Sequence, residues 1–442
     1  MMRSIAGDHR RALDWQPPED LLCRIAQLPM SLALIGGGHG ERGRYSYLTA
    51  FPAGTVMEPG SDDPLGPLRA LLGGCRAGHV GGLFGYDLAG RFERLPDVPA
   101  ALTLWPQMAL GFYEAVAVFD HQGRSAHVEG SPAAAERLHS ALSAPEPLMQ
   151  PTTLERALES VWSDSEYIAA AARARDYVRA GDVFQVNLSH RFTARLGGAD
   201  APLAVFRKLA QESPAPFAAW LRLDADRVVI SNSPERFVSV DAAGHVETRP
   251  IKGTRPRGGT LDEDARLAGE LAASLKDRAE NLMIVDLMRN DLARVCEAGS
   301  VKVPELFTVE SFANVHHLVS SVTGQLSPGR TVADLIAASF PPGSITGAPK
   351  VRAMEIIAEL EGEARGPYCG AMGWLGTDGK ADFNVMIRTA GFVRDGNGWE
   401  VEARSGGAIT IDSDPADELA ETHAKIAMLK RAIEHGGGGA GR

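Results

Sequence analysis

The chain has 442 residues, 44% apolar and 23% charged, with a net charge of −11. That balance excludes a disordered polymer and a broadly basic nucleic-acid binder, and the length allows about three domains around a substantial core. Cys23, Cys75, Cys296 and Cys369 lie far apart with no CxxC pair, which suits free thiols in a reducing compartment. The first fifteen residues lack an apolar signal core, and no run approaches the roughly 18 apolar residues of a membrane span. The cytoplasm is the expected location, with no membrane partner.

Taken in order, residues 1–150 read as an N-terminal β-rich subregion. Strands are expected at 31–35, 45–48 and 112–119, the last ahead of a turn at 120–123, and then a helix at 133–142,. The glycines at 36–38 and 40 lack the spacing and following helix of a nucleotide loop,. Residues 143–153, rich in proline, read as a linker into a catalytic region at 151–435,. There, Ser163 or Asp164 caps a helix to residue 180, which Gly181 ends,. Residues 183–192 alternate as a strand, and 227–231, 237–240 and 245–248 suggest a strand and a hairpin turning at 241–244. Helices are expected over 261–289, 331–338 and 350–360, with strands at 370–375, 383–389 and 400–403. Ser413 or Asp414, followed by Pro415, starts a last helix to His435, and 436–442 is a glycine-rich flexible tail,.

The densest chemical signal is Arg249-Pro250-Ile251-Lys252-Gly253-Thr254-Arg255-Pro256-Arg257, four cations within nine residues of an acidic chain. A lysine among cations has its neutral, nucleophilic amine favoured. The same stretch also reads as a solvated basic loop. Upstream, Glu235 in Ser-Pro-Glu-Arg-Phe is placed to give or take a proton in the same cleft, or else to form a surface pair with Arg236. In the last helix Glu418, Glu421 and Lys425 are spaced i, i+3, i+7 along a line bordering the apolar stripe of Leu419, Ile426, Leu429 and Ile433,. Carboxylates at a buried edge need a partner, and a hard cation such as Mg²⁺ is one; an exposed ion pair is the alternative. Residues 340–350, with Ser344 and Thr346 ahead of a helix, read as an anion cradle, but not a P-loop,.

Together and in this order, these segments resemble the chorismate-utilising enzymes, which include the large subunits of anthranilate synthase and aminodeoxychorismate synthase and the isochorismate and salicylate synthases. The likeness runs from about Ser163 to Lys430 and is weak before it, apart from Gly43-Arg44-Tyr45-Ser46. It implies a mixed α/β (α+β) fold, two packed large β-sheets with helices outside. Gln185 stands where the isochorismate and salicylate branches carry a water-activating lysine, which points to an ammonia-using branch. Lys252 stands where anthranilate synthases usually carry alanine, which points to amination of chorismate at C4; anthranilate synthase component I is the rival reading.

The resemblance also assigns roles. Lys252 adds at C2 of chorismate as the 4-hydroxyl leaves, Glu235 protonates that hydroxyl and His317 lies near it. Glu280 and Glu421 hold Mg²⁺, with Glu418 assisting. Gly253, Thr254, Tyr368, Arg388, Gly406, Gly407 and Lys425 bind the substrate. No Gly-x-Cys-x-Gly nucleophile motif occurs, so a separate glutaminase subunit is the expected source of ammonia. The tryptophan-binding Leu-Leu-Glu-Ser element of anthranilate synthases is not evident; residues 37–42 stand in its place.

Overall fold

The computed structural model describes residues 9–37, 43–73, 77–101, 105–312 and 315–436. Residues 38–42, which stand at the tryptophan element, and the tail 437–442 lie outside that set, as does Cys75. Among the described residues, twelve strands form one sheet and ten form a second. The first has at its centre Phe217–Arg222, Arg227–Ser233, Thr389–Asp395, Gly398–Ile409 and Gln185–Gly197. The second runs from Ile251–Pro256 through Val315–Gln325, His245–Thr248, Arg236–Val240 and Ala381–Val385 to Ala371–Gly376 and the early strands. The expected two-sheet α/β fold is the fold observed.

Where the sheets meet, Leu32, Leu221 and Val229 of the first pack with Leu83, Ala109 and Met372 of the second. The approach is close: a side chain at Gly81 would sit 2.5 Å from Leu32 Cδ2. Strands from residues 9–130 enter both sheets beside strands from after residue 150. The proline-rich stretch at 143–153 therefore joins parts of one two-sheet body rather than separating two.

Helices form where caps and apolar spacing agree. Ser163 and Glu166 make a reciprocal capping box for Asp164–Ala180, and Gly181 ends it at φ 84°,. Asp414 accepts hydrogen bonds from the Ala416 and Asp417 amides to start Pro415–His435. That helix buries Leu419, Ile426, Leu429 and Ile433, about 1.5–3 kcal/mol for each side chain removed from water. The expected helix over 261–289 is two helices, Leu261–Ala273 and Leu275–Ala293, because Ser274 leaves the helical region and caps the second through the Asp277 amide.

Two expected strands are each split between sheets. Residues 112–119 belong to Met108–Tyr113 in the second sheet and Ala115–Asp120 in the first. Residues 383–389 divide in the same way between Ala381–Val385 and Thr389–Asp395. The neighbouring strands Arg227–Ser233 and Arg236–Val240 make the same passage, so two crossings run side by side. They are tied by the Asn232 amide to the Arg388 carbonyl at 3.0 Å and the Val385 amide to the Glu235 carbonyl at 3.0 Å. Glu235 and Arg388 thus sit where the chain changes sheets.

Candidate active site

Glu235 is held at its crossing by a tight turn. The Ser233 hydroxyl accepts from the Glu235 amide at 3.1 Å. The side chain is 5% exposed and burial raises its pKa to about 7, against hydrogen bonds from the Ser344 hydroxyl and the Ile251 backbone and the charges of Lys252 and Lys425. A carboxyl of that pKa is a competent proton donor near neutrality.

Lys252 lies on the strand Ile251–Pro256, not in an open loop. Burial lowers its pKa, while Glu280, Glu235 and Glu421 act to raise it and Lys425 adds to the lowering. The expected cause of the shift was wrong: the neighbouring arginines are spoken for. Arg249 is paired with Glu247, Glu305 and Glu310, Arg255 with Asp277 and Arg257 with Asp264. Burial, rather than a cluster of free cations, disfavours the ammonium form.

Gly253 is what brings the next helix against this strand. It sits at φ 82°, and a Cβ there would lie 2.8 Å from Asp277 Cγ and 2.9 Å from Leu271 Cδ1. Asp277 is three residues before Glu280, so the same contact brings Glu280 toward Lys252. Across the strand pair Thr254 faces His317, and its hydroxyl is 2.9 Å from His317 Nδ1. His317 is buried, and burial first, then the nearby Arg388 charge, lower its pKa to about 3. The ring is neutral at physiological pH.

Arg388 adopts φ 52° at the second crossing. Burial lowers its pKa, and among the described residues no carboxylate is paired with it. A partly buried, unpaired guanidinium is a ready site for a carboxylate ligand.

The third side of the site comes from the last helix and the strand beneath it. Lys425 Nζ is 2.6 Å from Glu421 Oε1 and donates to the Gly406 carbonyl at 3.1 Å. A Cβ on Gly407 would lie 2.8 Å from Glu418 Oε2. Glu418, 4% exposed, accepts from the Ser413 hydroxyl at 2.7 Å, and burial raises its pKa. Burial likewise raises Glu280, whose nearest cation is Lys276 at 4.0 Å. Burial pushes Glu421 up too, but Lys425, Lys252 and Lys276 outweigh it and its pKa is lowered. Among the described residues no group of three His, Cys, Asp or Glu is gathered closely enough to hold a metal ion. The expected carboxylates share one electrostatic neighbourhood but are drawn toward lysines.

One expected substrate residue is placed in the core, and one expected feature is not formed. Tyr368 is 7% exposed and packs in the core of the second sheet, with the Arg365 guanidinium 5.9 Å from its ring. The stretch 340–350 is not an open anion cradle: residues 343–347 are buried, and Lys350 binds Asp291 at 2.6 Å and the Ser339 carbonyl at 2.7 Å. Its contribution is Ser344, the partner of Glu235, which the sequence offered only as one hydroxyl among several. Gln185 opens the strand Gln185–Gly197 fully buried, with neither amide atom bonded to a described protein group. Without a titratable nitrogen, it cannot act as a base.

Two packed sheets, a lysine acted on by Glu235, Glu280 and Glu421, and an unpaired guanidinium fit a chorismate binding enzyme. The chain belongs to that family, whose description matches residues 53–431. It is 42% identical to aminodeoxychorismate synthase component 1 of Klebsiella aerogenes, over 88% of this chain and 87% of that one. It is 40% identical to anthranilate synthase component 1 of Streptomyces coelicolor, over 88% and 81% of the two chains. Its fold matches the crystal structure of anthranilate synthase component I from Streptococcus pneumoniae with a TM-score of 0.76 at 31% identity, covering 89% of this chain and 93% of that one. No helix among the described residues is long and apolar enough to cross a membrane.

Proposed function

We propose that this chain is the chorismate-aminating component of a cytoplasmic aminodeoxychorismate synthase, supplied with ammonia by a separate glutaminase subunit. The product is 4-amino-4-deoxychorismate, a precursor of 4-aminobenzoate and folate. The observation that carries this reading is a lysine whose ammonium form is disfavoured by burial, set beside a carboxyl with a pKa of about 7. Relatives 39–42% identical to this chain that are named aminodeoxychorismate synthase component 1 support the branch chosen.

The reaction divides into two displacements. The neutral Lys252 amine bonds to C2 of the ring, both ring double bonds shift, and the C4–O bond breaks as Glu235 gives its proton, so that water leaves. Ammonia then bonds to C4, both double bonds return, and the lysine amine departs from C2. Arg388 takes a substrate carboxylate bidentately, with Gly406, Gly407 and Lys425 near the other. Neutral His317 donates or accepts one hydrogen bond near the departing hydroxyl, and Thr254 fixes its ring.

Glu280 and Glu421, with Glu418 directly or through a water, are the residues that would hold Mg²⁺. Their all-oxygen donor set suits that ion, which uses one or two protein carboxylates and leaves its other positions to water and substrate. When bound, it supplies charge stabilisation at the ring carboxylate.

The test is purified protein with chorismate, Mg²⁺ and ammonium, with products separated by chromatography. Accumulation of 4-amino-4-deoxychorismate is expected, and anthranilate as the sole product would reject the reading. The anthranilate alternative rests on relatives of nearly equal identity, and Lys252→Ala separates the two. An anthranilate maker tolerates that change, whereas an enzyme of the proposed type loses most activity and its chorismate adduct.

A further inference from the structure

The proton donor is positioned by something the reaction scheme above does not use. Ser344, whose hydroxyl acts to lower the pKa of Glu235, lies in the single turn Gly343–Ile345. The turn's own hydrogen bonds are long, with the Ile345 amide 3.4 Å from the Pro342 carbonyl and the Thr346 amide 3.4 Å from that of Gly343,. The turn is clamped from outside. On one side Gly343 is pressed by the helix Leu275–Ala293, so closely that a Cβ would fall 2.5 Å from Met288 Cε and 2.6 Å from Leu287 Cδ2. On the other side Arg365 Nη1 donates to the Ile345 carbonyl at 3.1 Å. Its Nη2 donates to the Asn187 carbonyl at 2.7 Å, while the Asn187 amide donates to the Thr346 carbonyl at 2.8 Å.

Arg365 is itself immobilised. Its side chain is 1% exposed and is paired with Glu361 at 2.6 Å, whose side chain is fully buried. Glu361 also accepts from Arg404 Nη2 at 2.9 Å and from the Ser189 amide and hydroxyl, both at 2.8 Å. The network therefore anchors the turn to the helix Lys350–Glu361 and to two adjacent strands of the first sheet. Isolated burial of so many charges is expensive unless each is satisfied. Here the Arg365 fork reaches past its carboxylate to one backbone carbonyl of the segment that carries Ser344, that of Ile345, and to one of the neighbouring strand, that of Asn187.

We propose that Ser344 and Arg365 are positioning residues for the proton donor. The Ser344 hydroxyl holds the Glu235 carboxyl at the cleft wall, and Arg365, locked by Glu361 and Arg404, fixes the turn that presents that hydroxyl. Glu235 is faced by Lys252 from its strand, by Lys425 from the last helix and by Ser344 from the turn; of these, Ser344 alone is uncharged, so replacing it changes no charge count. The inference rests on Glu235 being the proton donor of the proposed reaction.

The experiment is a pH profile of kcat/KM for chorismate with the full chain, Mg²⁺ and free ammonia held constant across the range. Wild type is expected to lose activity above about pH 7 as the donor ionises, and E235Q to lack that limb. S344A removes a hydrogen bond that favours the ionised carboxyl, so its limb moves to higher pH by about half to one pH unit, with kcat reduced. S344T keeps the hydroxyl and returns the limb to its wild-type position. R365K keeps the charge but loses the two-pronged reach, and its limb moves in the same direction as that of S344A. A merely structural role would lower activity and melting temperature without moving the limb. S344A with an unmoved limb overturns the proposal, and R365K with an unmoved limb overturns the part assigned to Arg365. If R365K does not fold, S344A against S344T decides. If E235Q keeps the wild-type limb, Glu235 is not the donor, and it is the reaction scheme that fails.

Discussion

Replacing Glu361 by alanine isolates what the buried ionic network contributes to the fold. In the native chain Glu361 accepts five hydrogen bonds, from the Ser189 amide and hydroxyl, Arg365 Nε and Nη2, and Arg404 Nη2. Without it Arg404 retains Glu363 at 2.8 Å, whereas Arg365 keeps backbone carbonyls and the faces of Tyr86 and Tyr368. Breaking a buried pair at one end costs about 3–5 kcal/mol, because a charge stays buried without its partner. With an unfolding entropy of about 2.1 cal/mol/K per residue, the 442-residue chain should melt about 3–5 °C lower. Differential scanning calorimetry reads this directly. The pH dependence has a definite sign. Burial raises the Glu361 pKa, but Arg365 and Arg404 outweigh it, and the net shift is downward from 4.5. Its contribution is therefore complete above pH 4.5 and is lost as pH falls through the lower folded-state value,. The gap between wild type and variant must close in acid. The pair Glu361→Leu with Arg365→Met should recover most of the melting temperature, since apolar replacement of a buried pair is close to neutral. Glu361→Ala melting with wild type at pH 7, or the pair melting below the single variant, would refute the reasoning.

Three other changes test the site. Arg388→Lys keeps the charge but not the fork, and should raise KM for chorismate about 10- to 100-fold with the melting temperature unchanged; steady-state kinetics and a melt check both. Gly407→Ala drives a methyl to within 2.8 Å of Glu418 Oε2 and should raise the Mg²⁺ concentration for half-maximal rate about 10-fold or more. An unchanged Mg²⁺ titration would remove Glu418 from the metal's surroundings. Cys23, Cys296 and Cys369 are buried, with burial raising the last two to about 11 and about 12. A maleimide at pH 7 should leave all three unlabelled by mass spectrometry until the chain is unfolded.

The candidate site was reachable in the sequence only through the local motifs to which the family's roles attach, whereas the helices were readable where caps are local. Ser163 with Glu166, Gly181, and Asp414 before Pro415 each act within one turn, so spacing alone reveals them. The strands that change sheets were not readable as breaks. The strands at 108–120 and 381–395 are largely buried on both sides of the bend, and one charged residue at each crossing, Glu114 and Arg388, does not by itself mark a change of sheet,. For the same reason Val315–Gln325, buried along most of its length, lacks the alternation that would announce it. The arginines around Lys252 looked free because the carboxylates that bind them, Glu305 and Glu310 among them, lie far along the chain. Ser344 and Arg365 escaped notice for a related reason. Arg365 and Glu361 are four apart, like any exposed helix pair, and the sequence carries no sign that this pair is buried.

Charge explains why the cleft is built from so many opposed groups. With Glu235 protonated, the three lysines Lys252, Lys276 and Lys425 face three carboxylates, Glu280, Glu418 and Glu421. If Lys252 is neutral, as a nucleophile must be, the set carries one net negative charge. With Arg388 counted the set is neutral, so a dicarboxylate entering it brings two negative charges that no cation of the site is left over to cancel,. A divalent cation held by Glu280 and Glu421, as proposed above, would supply those two positive charges where the two carboxylates now face lysines. Substrate and cation should consequently favour each other's binding by the same factor, since each supplies the charge the other lacks. In the proposed reaction it is the neutral amine at Lys252 that leaves the site one positive charge short and makes that mutual dependence necessary.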